Sequence, residues 1–358
     1  MIYSRFTSLA VALLLAVEVT VAQPHGKRHH KRSPKAVAEP TAETQTEYET
    51  VYVYVDENGN RVENYSPEAS APAPEQHSVD VSSLNTANTA NKGVASISGS
   101  KPGIVYSPYN DDGSCKSSAQ VSSDFASLQD YPLIRIYGVD CNQVPNVLAA
   151  KGSSTKLFVG IFNVLDSTQF NSDMSSLIKS ASSAWGSIHT VAIGNELVNS
   201  GASASAVVTV VNSARTTLRA AGYTGPVVTV DTFVAIMNNP VLCQNSDYIA
   251  ANCHPYYDGK VDASGAGSFL TTQSANIKAA CPGKDLLYTE TGWPHQGEPN
   301  GLAKASVSDQ TTALKSIWAA MGSNVILFTF RDDLWKQNTA ATFNAEKYWG
   351  IKDYSIFN

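Results

Sequence analysis

The chain has 358 residues, room for one large domain or two ordinary ones, and its 43% hydrophobic content is enough to build a sizeable core. Its formal net charge of −6 disfavours nucleic acid and anionic membranes as partners, and no apolar run approaches the length needed to cross a bilayer. Composition then separates one domain from a long leading segment.

Residues 1–22 read as a secretory signal: Arg5 supplies the positive start, Leu9 to Val17 the apolar run and Ala22 a small-residue cleavage site. His25-Gly26-Lys27-Arg28-His29-His30-Lys31-Arg32 has no aromatic interleaving. It reads as a solvated charge run rather than a metal or nucleic-acid site. Lys31-Arg32 looks like a dibasic processing site, so residues 23–32 are expected to be a pro-peptide. Cleavage there removes five basic groups and one acidic group and takes the formal charge from −6 to −10. The mature protein is then expected to be exported, soluble and monomeric. A neutral polysaccharide is a compatible partner for it, and no nucleic acid, membrane or cofactor is expected.

Residues 33–100 are rich in Ser, Thr, Ala, Pro, Asn and Glu and poor in large apolar side chains. Such a segment cannot bury enough surface to offset chain entropy and is expected to be a disordered tail. Within it, Thr50-Val51-Tyr52-Val53-Tyr54-Val55 and then Asn58-Gly59 carry a hairpin pattern. A lone hairpin is marginal, so the segment is either transient local structure or a sticky, surface-associating element. Asn64-Tyr65-Ser66 is an N-glycosylation sequon, and the Ser/Thr-rich run beyond it is suited to O-linked sugars.

From Gly103 onward short β-prone runs alternate with helical stretches. The expected strands are Gly103–Ser107, Leu133–Tyr137, Lys156–Ile161, Thr190–Gly194, Val227–Asp231, Tyr248–His254, Leu286–Glu290 and Val325–Phe328. Helix-compatible segments include Ser118–Leu128, Ser203–Ala221 and Ser306–Ala320, with a short last helix around Ala345–Tyr348. Eight strand–helix units over residues 101–358 match the usual length of an α/β (β/α)8 TIM barrel, roughly 250 residues. A doubly wound open sheet is the competing arrangement. No Gly-rich phosphate loop follows the first strand, which argues against nucleotide binding.

Five cysteines in an exported chain imply disulfides, with one thiol left over. Sequence alone permits many two-bridge pairings. Cys115 with Cys141 is favoured because both follow early strands on one face, and Cys243 with Cys281 is the second choice. Cys253, inside an apolar strand, reads as a buried free thiol.

Two β-prone runs end in carboxylates: Val191-Ala192-Ile193-Gly194-Asn195-Glu196 and Leu286-Leu287-Tyr288-Thr289-Glu290-Thr291-Gly292-Trp293-Pro294. In a parallel barrel both acids lie on the carboxyl-end face, where such barrels build active sites, and a facing pair is the machinery of glycoside hydrolysis. Singly, each glutamate is an ordinary surface residue. Asp332-Asp333 lacks the companion spacing of a metal site, so no metal is expected.

The strings Gly194-Asn195-Glu196 and Thr289-Glu290-Thr291-Gly292-Trp293-Pro294 resemble the acid/base and nucleophile motifs of glycoside hydrolase family 17. Tyr106-Ser107-Pro108-Tyr109, Arg135-Ile136-Tyr137-Gly138-Val139-Asp140-Cys141 and Asp333-Leu334-Trp335-Lys336 narrow the resemblance to its fungal cell-wall members. The resemblance covers roughly residues 101–358. It departs from the plant-like members at Asn252-Cys253-His254-Pro255-Tyr256-Tyr257 and Arg331-Asp332-Asp333. It implies catalytic carboxylates on strands four and seven, with Glu290 as nucleophile and Glu196 as acid/base. Around them, Tyr106, Arg135, Tyr137, Asn195, His254, Tyr256, Trp293, Asp333 and Lys336 are expected to contact substrate. Arg135 is either a partner that lowers the Glu290 pKa or a structural ion pair beneath the site. Asn195 binds a sugar hydroxyl or stabilises a turn, His254 is a site residue or a buried hydrogen-bonded one, and Trp293 is the foremost sugar platform.

The implied function is a secreted cell-wall enzyme that hydrolyses or transfers β-1,3-glucan with retention. The rival reading is a wall mannoprotein or adhesin that keeps the barrel only to bind glucan.

Overall fold

The computed structural model describes residues 101–357. The expected signal, pro-peptide, tail, hairpin and sequon all lie outside the described residues. Strands covered on both faces must be apolar nearly throughout, and this is how the runs read: Leu-Ile-Arg-Ile in the second and Leu-Leu-Tyr-Thr-Glu-Thr in the seventh are buried at every position. The strands are β1 (Gly103–Val105), β2 (Leu133–Ile136), β3 (Lys156–Ile161), β4 (Ile188–Asn195), β5 (Val227–Thr232), β6 (Ile249–Asn252), β7 (Leu286–Thr291) and β8 (Val325–Leu327). Each pairs in parallel with the next. β8 returns to β1 through Gly103 opposite Ile326 and Ile104 opposite Leu327, which closes the barrel. All eight expected strands are present, and the open-sheet alternative is excluded.

Helices α1 (Ser118–Phe125), α2 (Gln143–Ala150), α3 (Ser167–Ala181), α4 (Ala204–Ala220), α5 (Phe233–Asn238), α6 (Val241–Gln244), α7 (Ala266–Ala280) and α8 (Val307–Met321) run between the strands. In α4, Val207, Val211, Ala214 and Leu218 recur at helical spacing and are buried, while Ser203 caps the start by accepting the Ala206 N–H. Fully covering each such Val or Leu contributes about 1.5–3 kcal/mol.

The short last helix expected around Ala345–Tyr348 is not formed. The chain makes a 3-10 turn at Ala340–Thr342 instead, and Phe343 and Asn344 then take φ values of +51°, where a right-handed helix cannot continue. The following backbone serves the neighbouring loop: Tyr348 C=O accepts the His295 N–H at 2.9 Å.

Both favoured disulfides are present, and Cys253 is free and buried. Cys115–Cys141 ties the loop after β1 to the loop after β2; Cys243–Cys281 ties α6 to the end of α7. The second bridge spans a separation of 38 residues, so the chain-entropy contribution is about 4 kcal/mol. Replacing Cys243 and Cys281 together by Ser is expected to lower the unfolding free energy by about 2–4 kcal/mol in urea titration. An unchanged midpoint would remove the bridge from the stabilising contacts.

Candidate active site

Parallel strands all end on one face, and that face gathers the polar residues of the barrel. Glu196 follows the last residue of β4, and Glu290 is the penultimate residue of β7. The end of β4 is irregular. Its register against β5 shifts between Ala192 and Asn195, and Gly194 (φ +79°) and Glu196 (φ +53°) both take left-handed conformations. Gly194 is suited to this because a Cβ there would sit 2.4 Å from Leu197 Cδ1. On β7, Gly292 allows the chain to pass close to β8, since a Cβ would lie 2.4 Å from the Phe328 carbonyl oxygen.

Glu290 is 7% exposed and is held by three side chains. Arg135 Nη1 donates to Oε1 at 2.9 Å, Tyr137 Oη donates to Oε1 at 2.7 Å, and His254 Nε2 lies 3.3 Å from Oε2. An ionised carboxylate only accepts, so the histidine nitrogen facing it is the one bearing a proton. Burial pushes the Glu290 carboxyl up, but the Arg135 charge, His254 and the Tyr137 hydroxyl outweigh it and bring the pKa down to about 2. Glu196 is the opposite case. Burial and then the Glu290 charge push it up to about 7, with Asn252 and His254 pulling the other way. Near neutral pH one carboxyl can hold a proton while the other stays an anion, which is the division of labour in a glycosidase pair.

Asn252, at the end of β6, connects the two acids. Its Nδ2 donates to Glu196 Oε1 at 2.8 Å and to Asn195 Oδ1 at 3.2 Å. Its Oδ1 accepts from Arg135 Nη1 at 3.3 Å and Thr289 Oγ1 at 2.8 Å. Asn195 also accepts from Arg135 Nη2 at 2.7 Å, so its amide is committed to the cluster. Asn252 is absent from the expected site, although a polar side chain closing an apolar strand is the same signal that singled out Glu196.

Of the expected residues, Arg135, Tyr137, Asn195, Glu196, His254 and Glu290 form one connected cluster. Asp333 and Lys336 join from the loop after β8. Lys336 Nζ lies 3.0 Å from Glu346 Oε1, 3.6 Å from Asp333 Oδ2 and 4.6 Å from the centre of the Phe328 ring. Burial works against the Lys336 charge, but the Glu346 and Asp333 carboxylates prevail and raise its pKa. Beside them Trp335, 39% exposed, lies 5.0 Å from the Tyr109 ring and donates its indole N–H to Asp333 Oδ1 at 3.1 Å.

Three expected sugar contacts are corrected. Trp293 is 1% exposed and donates its indole N–H to the Lys304 carbonyl at 2.8 Å. Tyr256 packs against it, with its hydroxyl on the Glu298 carbonyl, and Tyr106 packs edge-on to Phe125 with its hydroxyl on Asp124. All three are core residues: Phe125 of α1 and Phe330 pack on Tyr106, and Phe343 and Trp349 from the segment after β8 pack with Trp293 on Tyr256. Tyr257, Phe328 and Trp349 instead surround the His254 ring, with centroids at 6.1, 5.6 and 4.8 Å.

The barrel and its carboxylate pair define the class, that of (β/α)8 glycoside hydrolases. The family model described as the BtgE/BtgC glycoside hydrolase domain matches residues 103–350, and the chain belongs to this family, of the family 17 fungal cell-wall type. It is 50% identical over 256 residues to the cell surface mannoprotein MP65 of Candida albicans, which covers 71% of this chain and 67% of that one. It is 51% identical over 259 residues to the Saccharomyces cerevisiae protein named "Probable family 17 glucosidase SCW10", covering 71% of this chain and 65% of the relative. The matched stretch is thus about two thirds of either relative. Among solved structures, a glycoside hydrolase family 17 β-1,3-glucanosyltransferase from Rhizomucor miehei shares the fold, with a TM-score of 0.60 at 21% identity over 70% of this chain and 92% of that one.

The two pKa values fix a pH window. Activity that needs Glu290 ionised and Glu196 protonated falls as pH drops through about 2 and falls again as pH rises through about 7. Replacing Arg135 by Gln removes the charge that holds Glu290 down, so the acidic limb of kcat/KM is expected to move to higher pH. A limb that stays in place would dissociate Arg135 from the ionisation of Glu290.

Proposed function

We propose that this chain is a secreted cell-wall enzyme that acts on β-1,3-glucan with retention, using Glu290 as nucleophile and Glu196 as acid/base. One observation carries the reading: two carboxyls in one hydrogen-bonded cluster are driven in opposite directions, one toward the anion and one toward the acid. The substrate class is supported by the β-1,3-glucanosyltransferase with the same fold, and the location by the cell-surface and family 17 names of the two yeast relatives.

In the first step the Glu290 carboxylate forms a bond to the anomeric carbon as the glycosidic bond breaks, and the Glu196 proton passes to the departing oxygen. Arg135 and Tyr137 hold Glu290 in place and keep its charge localised before the attack. In the second step Glu196, now ionised, takes a proton from an incoming hydroxyl, whose oxygen displaces Glu290 from the anomeric carbon. If that hydroxyl belongs to water the outcome is hydrolysis; if it belongs to a glucan chain the outcome is transfer. The same residues serve both. Asp333 and Lys336 are proposed to flank the bound sugar from the loop after β8, continuous with Phe328.

Glu290→Gln is expected to lower kcat on laminari-oligosaccharides by more than about 10³-fold while leaving glucan binding intact. Retained turnover would remove Glu290 from the nucleophile role. Wild-type protein that binds laminarin without cleaving it would instead favour a glucan-binding mannoprotein. Proton NMR of the first-formed product gives the β anomer for retention, and products longer than the substrate identify transfer.

A further inference from the structure

Asp231 ends near the site without a part in the reaction outlined above. It lies in β5, is fully buried at 0% exposure, and has three backbone amides and no cation as partners among the described residues. Its Oδ2 accepts the Val198 N–H at 2.8 Å, and its Oδ1 accepts the N–H groups of Asn199 at 3.2 Å and Thr232 at 2.9 Å. Val198 and Asn199 sit two and three residues beyond Glu196, in the turn that leaves β4.

That turn needs a clamp. Glu196 has a φ of +53°, a conformation that costs about 1–3 kcal/mol for a residue with a side chain and persists only where its surroundings impose it. The Glu196 N–H donates to the Val230 carbonyl at 2.9 Å, and the Ser200 N–H donates to the Glu196 carbonyl at 2.9 Å. These two bonds fix the entry and exit of the turn. The Asp231 carboxylate takes the intervening amides of Val198 and Asn199, and a carboxylate is the side chain best suited to accept several N–H groups at once. Burying a charge in this way is costly unless each oxygen is satisfied, and here both are.

We propose that Asp231 is a positioning residue for acid/base catalysis: its buried carboxylate clamps the Val198 and Asn199 amides so that Glu196 presents its proton to the departing glycosidic oxygen. The proposal rests on the acid/base role of Glu196. The charged and titratable groups facing Glu196 are Glu290 from β7, His254 and Tyr257 from the segment after β6, and Asp231 from β5; Asn252 from β6 is its neutral donor. Burial holds the Asp231 carboxyl above its ordinary pKa, and its three amide donors offset this only in part. Like Glu290, an ionised Asp231 opposes ionisation of Glu196.

The test uses Asp231→Asn, Asp231→Ser and Glu196→Gln, each with two substrates: a laminari-oligosaccharide, whose departing sugar oxygen needs a proton, and its nitrophenyl β-glycoside, whose leaving group does not. For Asp231→Asn, kcat/KM on the oligosaccharide is expected to fall about 10- to 100-fold and on the nitrophenyl glycoside less than about 3-fold. Its basic pH limb is expected to shift toward lower pH, because removing a neighbouring negative charge makes Glu196 easier to ionise. A purely structural role does not move the leaving-group dependence, while the limb reports the lost charge alone. Equal losses on both substrates, with Glu196→Gln still dependent on the leaving group, overturn the proposal and leave the acid/base assignment standing. Loss of that dependence in Glu196→Gln itself overturns the assignment, and the proposal with it. Circular dichroism and thermal unfolding accompany each variant; if neither Asp231 variant folds, Asp231 is a stability residue and the proposal fails.

Discussion

The buried ion pair between Arg135 and Glu290 is the constraint around which the site is arranged. A guanidinium cannot shed its charge, and at 2% exposure it needs a partner or the fold loses several kcal/mol. From β2, Arg135 reaches Glu290 and the Thr289 carbonyl on β7, Asn252 on β6 and Asn195 on β4. Its planar head lies 4.5 Å from the Tyr137 ring centre and 5.3 Å from that of Phe158. One side chain therefore satisfies acceptors from three other strands and fixes the ionisation of the acid it touches. The two readings of Arg135, site partner and structural pair, are a single interaction here.

Asymmetry between two chemically identical side chains follows from that pair. Glu196 and Glu290 both leave water, and burial alone would push both carboxyls up. Glu290 receives a full positive charge and two further donors. Glu196 receives one neutral amide donor, and the charge kept on Glu290 acts against it. Because the acids are coupled, the environment that lowers one helps to raise the other. The segments after β6 and β8 bring Phe328 and Trp349 against the His254 ring and Lys336 over Phe328, so rings and a paired cation stand beside the histidine that contacts Glu290.

Much of the fold was legible before any coordinates. Parallel strands covered on both faces require short apolar runs, and the runs starting at Gly103, Leu133, Lys156 and Leu286 stand where the strands begin. Both carboxylates were legible for the same reason: a charge at the end of such an apolar run is costly to bury and so marks a site rather than plain packing. The last helix was misread because local composition does not reveal that Phe343 and Asn344 turn left-handed to serve the loop after β7. Aromatic residues were the weakest reading. A ring is equally suited to a sugar face and to a core, and only the packing of distant rings against Tyr106, Tyr256 and Trp293 decided for the core.

By itself the sequence determined the eight strands, the two glutamates at strand ends and the family, because each rests on a local pattern; it favoured two cysteine pairs among many, and the structure decided for them. Tertiary structure decided which polar groups meet. Asn252 and Asp231 carry no mark that distinguishes them from other polar residues at strand ends, and their contacts are with neighbours 56 and 33 residues away along the chain. Hydrogen-bond geometry and local charge are properties of assembled space, and only barrel closure brings the ends of β2, β4, β5, β6 and β7 within reach of one another.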